Sequence, residues 1–495
     1  MYKDVTLSEI NVSMENAWKA FHIYRTLPLK ERATFMKMIA IELENCGDEL
    51  IKVAMEETNL PEARLRNERG RTIFQLNQYA SACENGEWLE ARIDTAITDK
   101  TPPKPDVRKM LIPLGPVVVF GASNFPFAYS TAGGDTACAF AAGCPVIVKA
   151  HPAHAKTSQL VADAIHKAAA QTKMPAGIFS HLHGVSFEVG KALVMHKHTK
   201  AVGFTGSFLG GKALYDWANQ RKEPIPVFAE MGSVNPVFLL EEKISGEYSS
   251  IAQNYAGSIT LGVGQFCTNP GLLIGIESEA LQNFINELGG AIQKIPAGLM
   301  LHQGISKAYI EKKSLAIIQQ GVDIIAESTA PVDEDKLRGT PSIATATGKA
   351  FLNNPVLHQE VFGPYSLVIR CKDKNEMLDV AKHLEGQLTA TLMATEKDLA
   401  NNKELIEVVK NICGRFILNN VPTGVEVCLS MHHGGPYPAS TDSRFTSVGA
   451  DGIKRFVRPL AFQNWPNSLL PEELKNENSL EIWRTINNEL TKNKI

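Results

Sequence analysis

Between residues 114 and 230 the chain alternates short apolar runs with segments of helical period, and this alternation limits the fold more than any other feature. The runs VVVFGAS, PVIVKA, GIFSHLH, AVGFTGS and IPVFAEMG are separated by TAGGDTACAFAAG, KTSQLVADAIHKAAAQ, FEVGKALVMHK and GGKALYDWANQ. Apolar runs of this length, spaced by helices, predict strands buried on both faces. Helical connections between them predict right-handed crossovers, hence an α/β fold with a doubly wound parallel sheet. Such a sheet takes ligands outside the carboxyl ends of its strands.

Around this block the pattern changes. Residues 15–90 read as helices, because ERATFMKMIAIELENCGDELIKVAMEET repeats apolar residues at spacings of three and four. ARIDTAITDKTPPKPDVRKMLIPLGPV reads as a two-stranded ribbon with a proline-rich turn. A second αβ series runs from VFLL to RFILNN near residue 420, and the tail LPEELKNENSLEIWRTINNELTKNKI reads as a polar amphipathic helix region. At 495 residues two or three domains are expected.

Several function classes are disfavoured. A formal net charge of -3 provides no field for nucleic acid or an anionic membrane. The opening MYKDVTLSEINVSMENAWKAF has no apolar leader core and no apolar run reaches membrane length, so a cytoplasmic protein is expected. The 8 cysteines contain no CxxC pair, which predicts neither a disulfide framework nor a bound metal.

Cys267 stands apart from the other cysteines. It lies in GVGQFCTNPG, among small and turn-forming residues suited to bringing backbone close to a ligand. Other chemistry-bearing residues fall at the carboxyl edge of the predicted sheet. GFTGSFLGG, with Gly206 and Ser207, marks a strand-to-helix junction that either holds a phosphate or is only a tight turn. Lys149 ends the strand PVIVK, as a ligand contact or a surface lysine. Asn124 in GASNFP sits on a loop where asparagine also serves simply to turn the chain. Glu230 ends IPVFAE, where desolvation would raise its pKa toward that of a general base unless water reaches it.

The stretches SNFP, VIVKA, GFTGS, EMGSVNP, GQFCTNPG and EVFGP, in order and spacing, resemble the NAD(P)-dependent aldehyde dehydrogenase superfamily over roughly residues 15–465. The resemblance implies two doubly wound parallel-sheet domains plus a β-ribbon oligomerisation element. Residues 1–95 and 114–230 would form the dinucleotide-binding domain, 231–445 the catalytic domain, and 96–113 with 446–495 the ribbon and tail of a homodimer or homotetramer. It makes Cys267 the nucleophile that forms a thiohemiacetal and then a thioester, Asn124 an oxyanion donor and Glu230 the base that activates water. Glu360 and Phe362 would hold the nicotinamide riboside, Lys149 the adenosine ribose, and Gly206 with Ser207 the pyrophosphate.

Two departures refine the expectation. Where NAD-preferring members often carry KPxE, this chain has KAHPAHAK; Pro152 replaces the carboxylate, with His151, His154 and Lys156 nearby, which favours NADP while NAD remains acceptable. The segment MHHGGPYPAST, 431–441, is similar to the branch containing 2,5-dioxopentanoate (α-ketoglutarate semialdehyde) dehydrogenases and NADP-dependent fatty aldehyde dehydrogenases. The first substrate needs a cation for its distal carboxylate, for which Arg444, His432 and His433 are the sequence candidates; the second needs an apolar tunnel. An acylating enzyme would not need Glu230, and a catalytically idle binding homologue would have lost Cys267, Glu230 or Asn124.

Overall fold

The computed structural model describes residues 2–330 and 337–495. Met1 and residues 331–336, at the edge of one expected domain and within another, lie outside the described residues. Four helices come first: α1 (Leu7–Tyr24), α2 (Leu29–Asn45), α3 (Gly47–Thr58) and α4 (Glu62–Asn85). They cover the outside of a sheet that follows the ribbon strands β1 (Arg92–Asp94) and β2 (Val107–Pro113). This sheet consists of β3 (Val117–Phe120), β4 (Val146–Lys149), β5 (Phe179–Leu182), β6 (Ala201–Thr205) and β7 (Val227–Glu230). Its connecting helices are α5 (Gly134–Ala142), α6 (Ala155–Gln171), α7 (Phe187–Met195) and α8 (Phe208–Asn219).

The strand order is β5-β4-β3-β6-β7, all parallel. Because chain direction across the sheet reverses at β3, loops after β3 and β6 diverge and leave a crevice at their carboxyl ends. The interior is closed by apolar runs: Val117 and Val118 are fully buried on opposite faces, as a strand covered on both sides requires.

A second sheet of 7 strands has the order Val322–Glu327, Ser342–Thr347, Tyr365–Cys371, Leu272–Ile276, Val237–Leu239, Gln387–Met393, Cys413–Leu418. Only its first pair is antiparallel. The carboxyl edge of β7 leads directly into this sheet through residues 231–236.

The ribbon and the tail differ from expectation. β1 and β2 pair antiparallel, as read from the sequence, but they belong to a five-stranded sheet completed by Val457–Gln463, Arg484–Ile486 and Glu489–Thr491. The tail is therefore not an amphipathic helix: among the described residues after 470 it forms one short 3-10 turn and a hairpin. The reason lies in Asn487 and Asn488, which adopt φ of 47° and 73° and make the left-handed two-residue turn that joins twisted strands.

Candidate active site

Cys267 is presented by an unusual backbone. Gly262, Val263 and Gly264 all have positive φ, at 53°, 59° and 64°. A β-branched residue in that region is strained. Glycine is required at 264 for a second reason: a Cβ there would lie 2.3 Å from the carbonyl of Gly363. The left-handed turn ends the helix Glu241–Thr260 and throws the chain back toward β7. Asn235, itself at φ 47°, clamps the returning loop by donating from Nδ2 to the carbonyls of Cys267 and Asn269, both at 2.9 Å.

The thiol reaches a cavity of about 390 Å³ at the carboxyl ends of β3, β6 and β7. Asn124, Gly206, Ser207, Glu230, Glu360 and Phe362 line the same cavity. Seven of the eight sequence-predicted residues thus share one space; Lys149 ends β4, one strand beyond. Asn124 Nδ2 donates one hydrogen to the Gln265 carbonyl at 3.1 Å, which orients the amide and leaves its second hydrogen over. The Cys267 backbone N–H makes no hydrogen bond among the described residues. Ser207 caps α8, accepting from the Gly210 amide at 3.2 Å, so the positive end of a 12-residue helix opens into the cavity. Gly232 permits the close approach of Glu360, whose carboxylate would sit 2.6 Å from a Cβ at that position.

Glu230 ends β7 and is almost fully buried. Residues 439–441 run antiparallel along the free edge of that strand: Glu230 bridges Ser440, and the Met231 amide donates to the Ala439 carbonyl at 2.8 Å. This pairing places His433 beside the carboxylate. Its Nε2 is 3.0 Å from Glu230 Oε1 and 3.6 Å from Cys267 Sγ, while the Ser447 hydroxyl donates to Glu230 Oε2 at 2.7 Å.

The electrostatics correct one expectation. Burial does oppose charge on Glu230, but His433, Ser447 and Cys267 together outweigh it and leave the carboxyl below its ordinary value. Burial and then the neighbouring Glu230 and Glu360 carboxylates push the Cys267 thiol well up, against the opposing charge of Arg71. Glu360 is raised by burial, against the opposing charge of Lys312.

Other sequence candidates fall elsewhere. Arg444 is exposed and paired with Asp442, so it is not a cation of the cavity. His154 is fully buried and hydrogen-bonds the Ala122 carbonyl at 2.8 Å, and burial holds both His151 and His154 below the ordinary histidine range, so they are neutral at pH 7. Conversely, Arg71 and Arg415 carry charge toward the thiol, and neither has a sequence signal. The Arg71 guanidinium donates to the Tyr129 hydroxyl at 3.2 Å; its Nε is buried without a protein partner. Phe125, Tyr129 and Phe266 pack around this approach.

A buried carboxylate, a thiol and an amide donor around a cavity that also receives a helix N-terminus suit acyl chemistry beside a dinucleotide. The cavity runs from Ser207 to Glu360 and Phe362, and its size and donors fit such a group. Residues 2–457 match the aldehyde dehydrogenase family. The chain is 48% identical over 478 residues, 96% of its length and 91% of the relative's, to alpha-ketoglutaric semialdehyde dehydrogenase 2 of Azospirillum brasilense. It is 44% identical over 495 residues, 100% and 93% of the two lengths, to alpha-ketoglutaric semialdehyde dehydrogenase of Acinetobacter baylyi. Among solved structures, 1-pyrroline-5-carboxylate dehydrogenase from Thermus with bound NAD superposes with a TM-score of 0.78 at 21% identity, covering 93% of this chain and 86% of that one. The chain belongs to the aldehyde dehydrogenase family, oxidoreductases that act on aldehydes with NAD(P).

Proposed function

We propose that this protein oxidises 2,5-dioxopentanoate to 2-oxoglutarate, with Cys267 as nucleophile, Asn124 as oxyanion donor and Glu230 as hydrolytic base. The observation that carries the reading is the meeting of these three side chains at one cavity. The identity to two α-ketoglutaric semialdehyde dehydrogenases supports the substrate.

The thiol is protonated at rest, so its proton must leave before sulfur attacks. His433 Nε2, 3.6 Å from Sγ, is the group placed to accept it. Sulfur then bonds the aldehyde carbon. The spare Asn124 hydrogen and the Cys267 amide meet the oxygen as it becomes anionic. Glu360 and Phe362 would hold the nicotinamide riboside of a bound cofactor, Gly206, Ser207 and the α8 terminus its phosphates and Lys149 its adenosine ribose, and such a group would supply the hydride acceptor. What remains on Cys267 is a thioester, and Glu230 takes a proton from the water that hydrolyses it.

Arg71 is the cation assigned to the distal carboxylate. It makes no ion pair among the described residues and lies within electrostatic reach of Cys267. Arg71→Leu is expected to lower kcat/KM for 2,5-dioxopentanoate roughly 10- to 100-fold, the worth of one partly buried charged hydrogen bond, while sparing a short uncharged aldehyde. Equal losses on both substrates would remove Arg71 from the assignment. The aromatic lining at Phe125 and Tyr129, with Phe266 packed against Phe125, favours a second reading, a medium- or long-chain fatty aldehyde dehydrogenase. Steady-state rates across short semialdehydes and alkanals with both cofactors decide between them, and a clear preference for octanal and longer chains selects the second.

NADP is our reading of the preferred cofactor, with NAD also accepted. Pro152 removes the usual carboxylate, and exposed Lys156 borders a second cavity beside Ala150 and Pro152. Glu57 lines that cavity too, but its carboxylate already accepts from the Lys156 and Thr157 amides and the Thr157 hydroxyl. Lys156→Ala is expected to raise the KM for NADP about tenfold and leave that for NAD unchanged, as loss of one charged contact to a 2'-phosphate implies. The family resemblance and the ribbon-bearing sheet support a homodimer or homotetramer, acting in the cytoplasm. Among the described residues no helix is long and apolar enough to cross a membrane.

A further inference from the structure

We propose that Cys267, His433 and Glu230 together form a binding site for a thiophilic divalent cation, zinc above all, whose occupation shuts the enzyme reversibly. Positions 230, 267 and 433 are too far apart in the chain for any spacing motif, which is why cysteine and histidine patterns predict no metal. The fold nevertheless brings one sulfur, one imidazole nitrogen and one carboxylate oxygen to within 4.8 Å of one another.

Two of the three separations are close to those of a coordination shell. Zinc with bonds of about 2.3 Å to sulfur and about 2.1 Å to nitrogen and oxygen holds its tetrahedral ligands ~3.6 Å apart for sulfur and nitrogen and ~3.4 Å apart for nitrogen and oxygen. Here those pairs lie at 3.6 Å and 3.0 Å. The third pair, sulfur and carboxylate oxygen, lies within 4.8 Å, and drawing it in to about 3.6 Å admits the ion. Cys267 and Glu230 also line the open cavity, so water can take the fourth position, giving three protein ligands and one exchangeable site. A sulfur, nitrogen and oxygen set with a single carboxylate suits zinc or cobalt and offers little to magnesium or calcium.

The surroundings set the strength. The Ser447 hydroxyl supports the carboxylate at 2.7 Å from Oε2, leaving Oε1 toward the ion. His433 Nδ1, by contrast, is buried and has no hydrogen-bond partner among the described residues. Zinc ligands normally donate that second N–H, and its lack weakens a site by about 10- to 100-fold. The site is therefore a reversible one rather than a resident structural centre. On binding, the Cys267 S–H bond breaks, a sulfur–zinc bond forms and the proton passes to solvent. The inhibition, though not the binding, rests on the role proposed above for Cys267.

The test titrates the full-length protein, freed of cofactor, with zinc chloride and separately with cobalt chloride. One ion per chain is expected, with a near-ultraviolet thiolate-to-cobalt band, zinc protection of Cys267 from iodoacetamide, and loss of aldehyde oxidation that a chelator restores. His433→Ala and Cys267→Ser are each expected to weaken binding by about 100-fold or more, and Ser447→Ala by about 10- to 100-fold with all three ligands kept. Circular dichroism and cofactor binding confirm that the variants are folded. Absence of the cobalt band, or zinc binding that survives both Cys267→Ser and His433→Ala, overturns the site. Zinc that binds and protects Cys267 without slowing turnover upholds the site and counts instead against Cys267 as the nucleophile.

Discussion

Exchanging Cys267 for serine is expected to lower aldehyde oxidation by a factor of the order of 10⁴ or more while cofactor binding persists. The thiol is the one group at the cavity able both to attack a carbonyl and to leave again from an acyl intermediate. A serine hydroxyl in its place is a far poorer nucleophile, and an ester formed there would resist the water that releases a thioester. The substitution fits the space. The Asn235 clamp acts on the carbonyl of residue 267 and not on its side chain, so the loop is retained. The cofactor contacts proposed at Ser207 and Glu360 belong to other elements. Reduced cofactor measured over time, with binding followed by fluorescence titration, checks both halves. A variant that keeps a tenth of the parent rate would leave the assignment without its nucleophile, and would favour an idle or differently built site.

How much of this was legible beforehand varies from element to element, for physical reasons. β3 to β7 could be read directly, because strands covered on both faces must be apolar throughout, as in VVVF at 117–120. The tail was not: the charged run LPEELKNENSLE suggests a helix, whereas the hairpin lies beyond it in RTINNELT, marked by the left-handed preference of its two asparagines. At the site, Cys267, Glu230 and Asn124 were recognisable because each ends or follows a readable element. His433 was visible only as a cation candidate for the substrate. Its contact with Glu230 depends on a strand-edge bridge to Ser440, 210 residues on, which no local pattern encodes. The pKa direction at Glu230 was misread for the same reason: burial follows from a strand end, whereas the partners that overcome it come from 433 and 447. His154 shows the converse error, since a histidine beside a lysine suggests charge until the packing buries it.

Glu230→Gln should separate the two halves of the reaction. Glutamine keeps the size of glutamate and can still accept from Ser447, but it cannot take a proton from water. The first half, up to the thioester on Cys267, is expected to proceed, giving a burst of reduced cofactor close to one equivalent per active site. The steady rate afterward should fall roughly 10²- to 10⁴-fold, the usual worth of a general base. Stability responds as well. The Glu230 carboxyl is held below its ordinary value, so its stabilising contribution is whole above the unfolded pKa and is lost as pH falls through the folded one. The melting temperature of the variant should therefore lie below the parent's at pH 7, with the gap closing in acid. Rapid-mixing kinetics tell the roles apart. A burst followed by slow turnover, rescued by hydroxylamine as an added nucleophile, identifies Glu230 with thioester hydrolysis. A vanished burst would mean that the carboxylate, through the 3.0 Å contact with His433, acts chiefly in drawing the proton from Cys267, and that water is activated by another group.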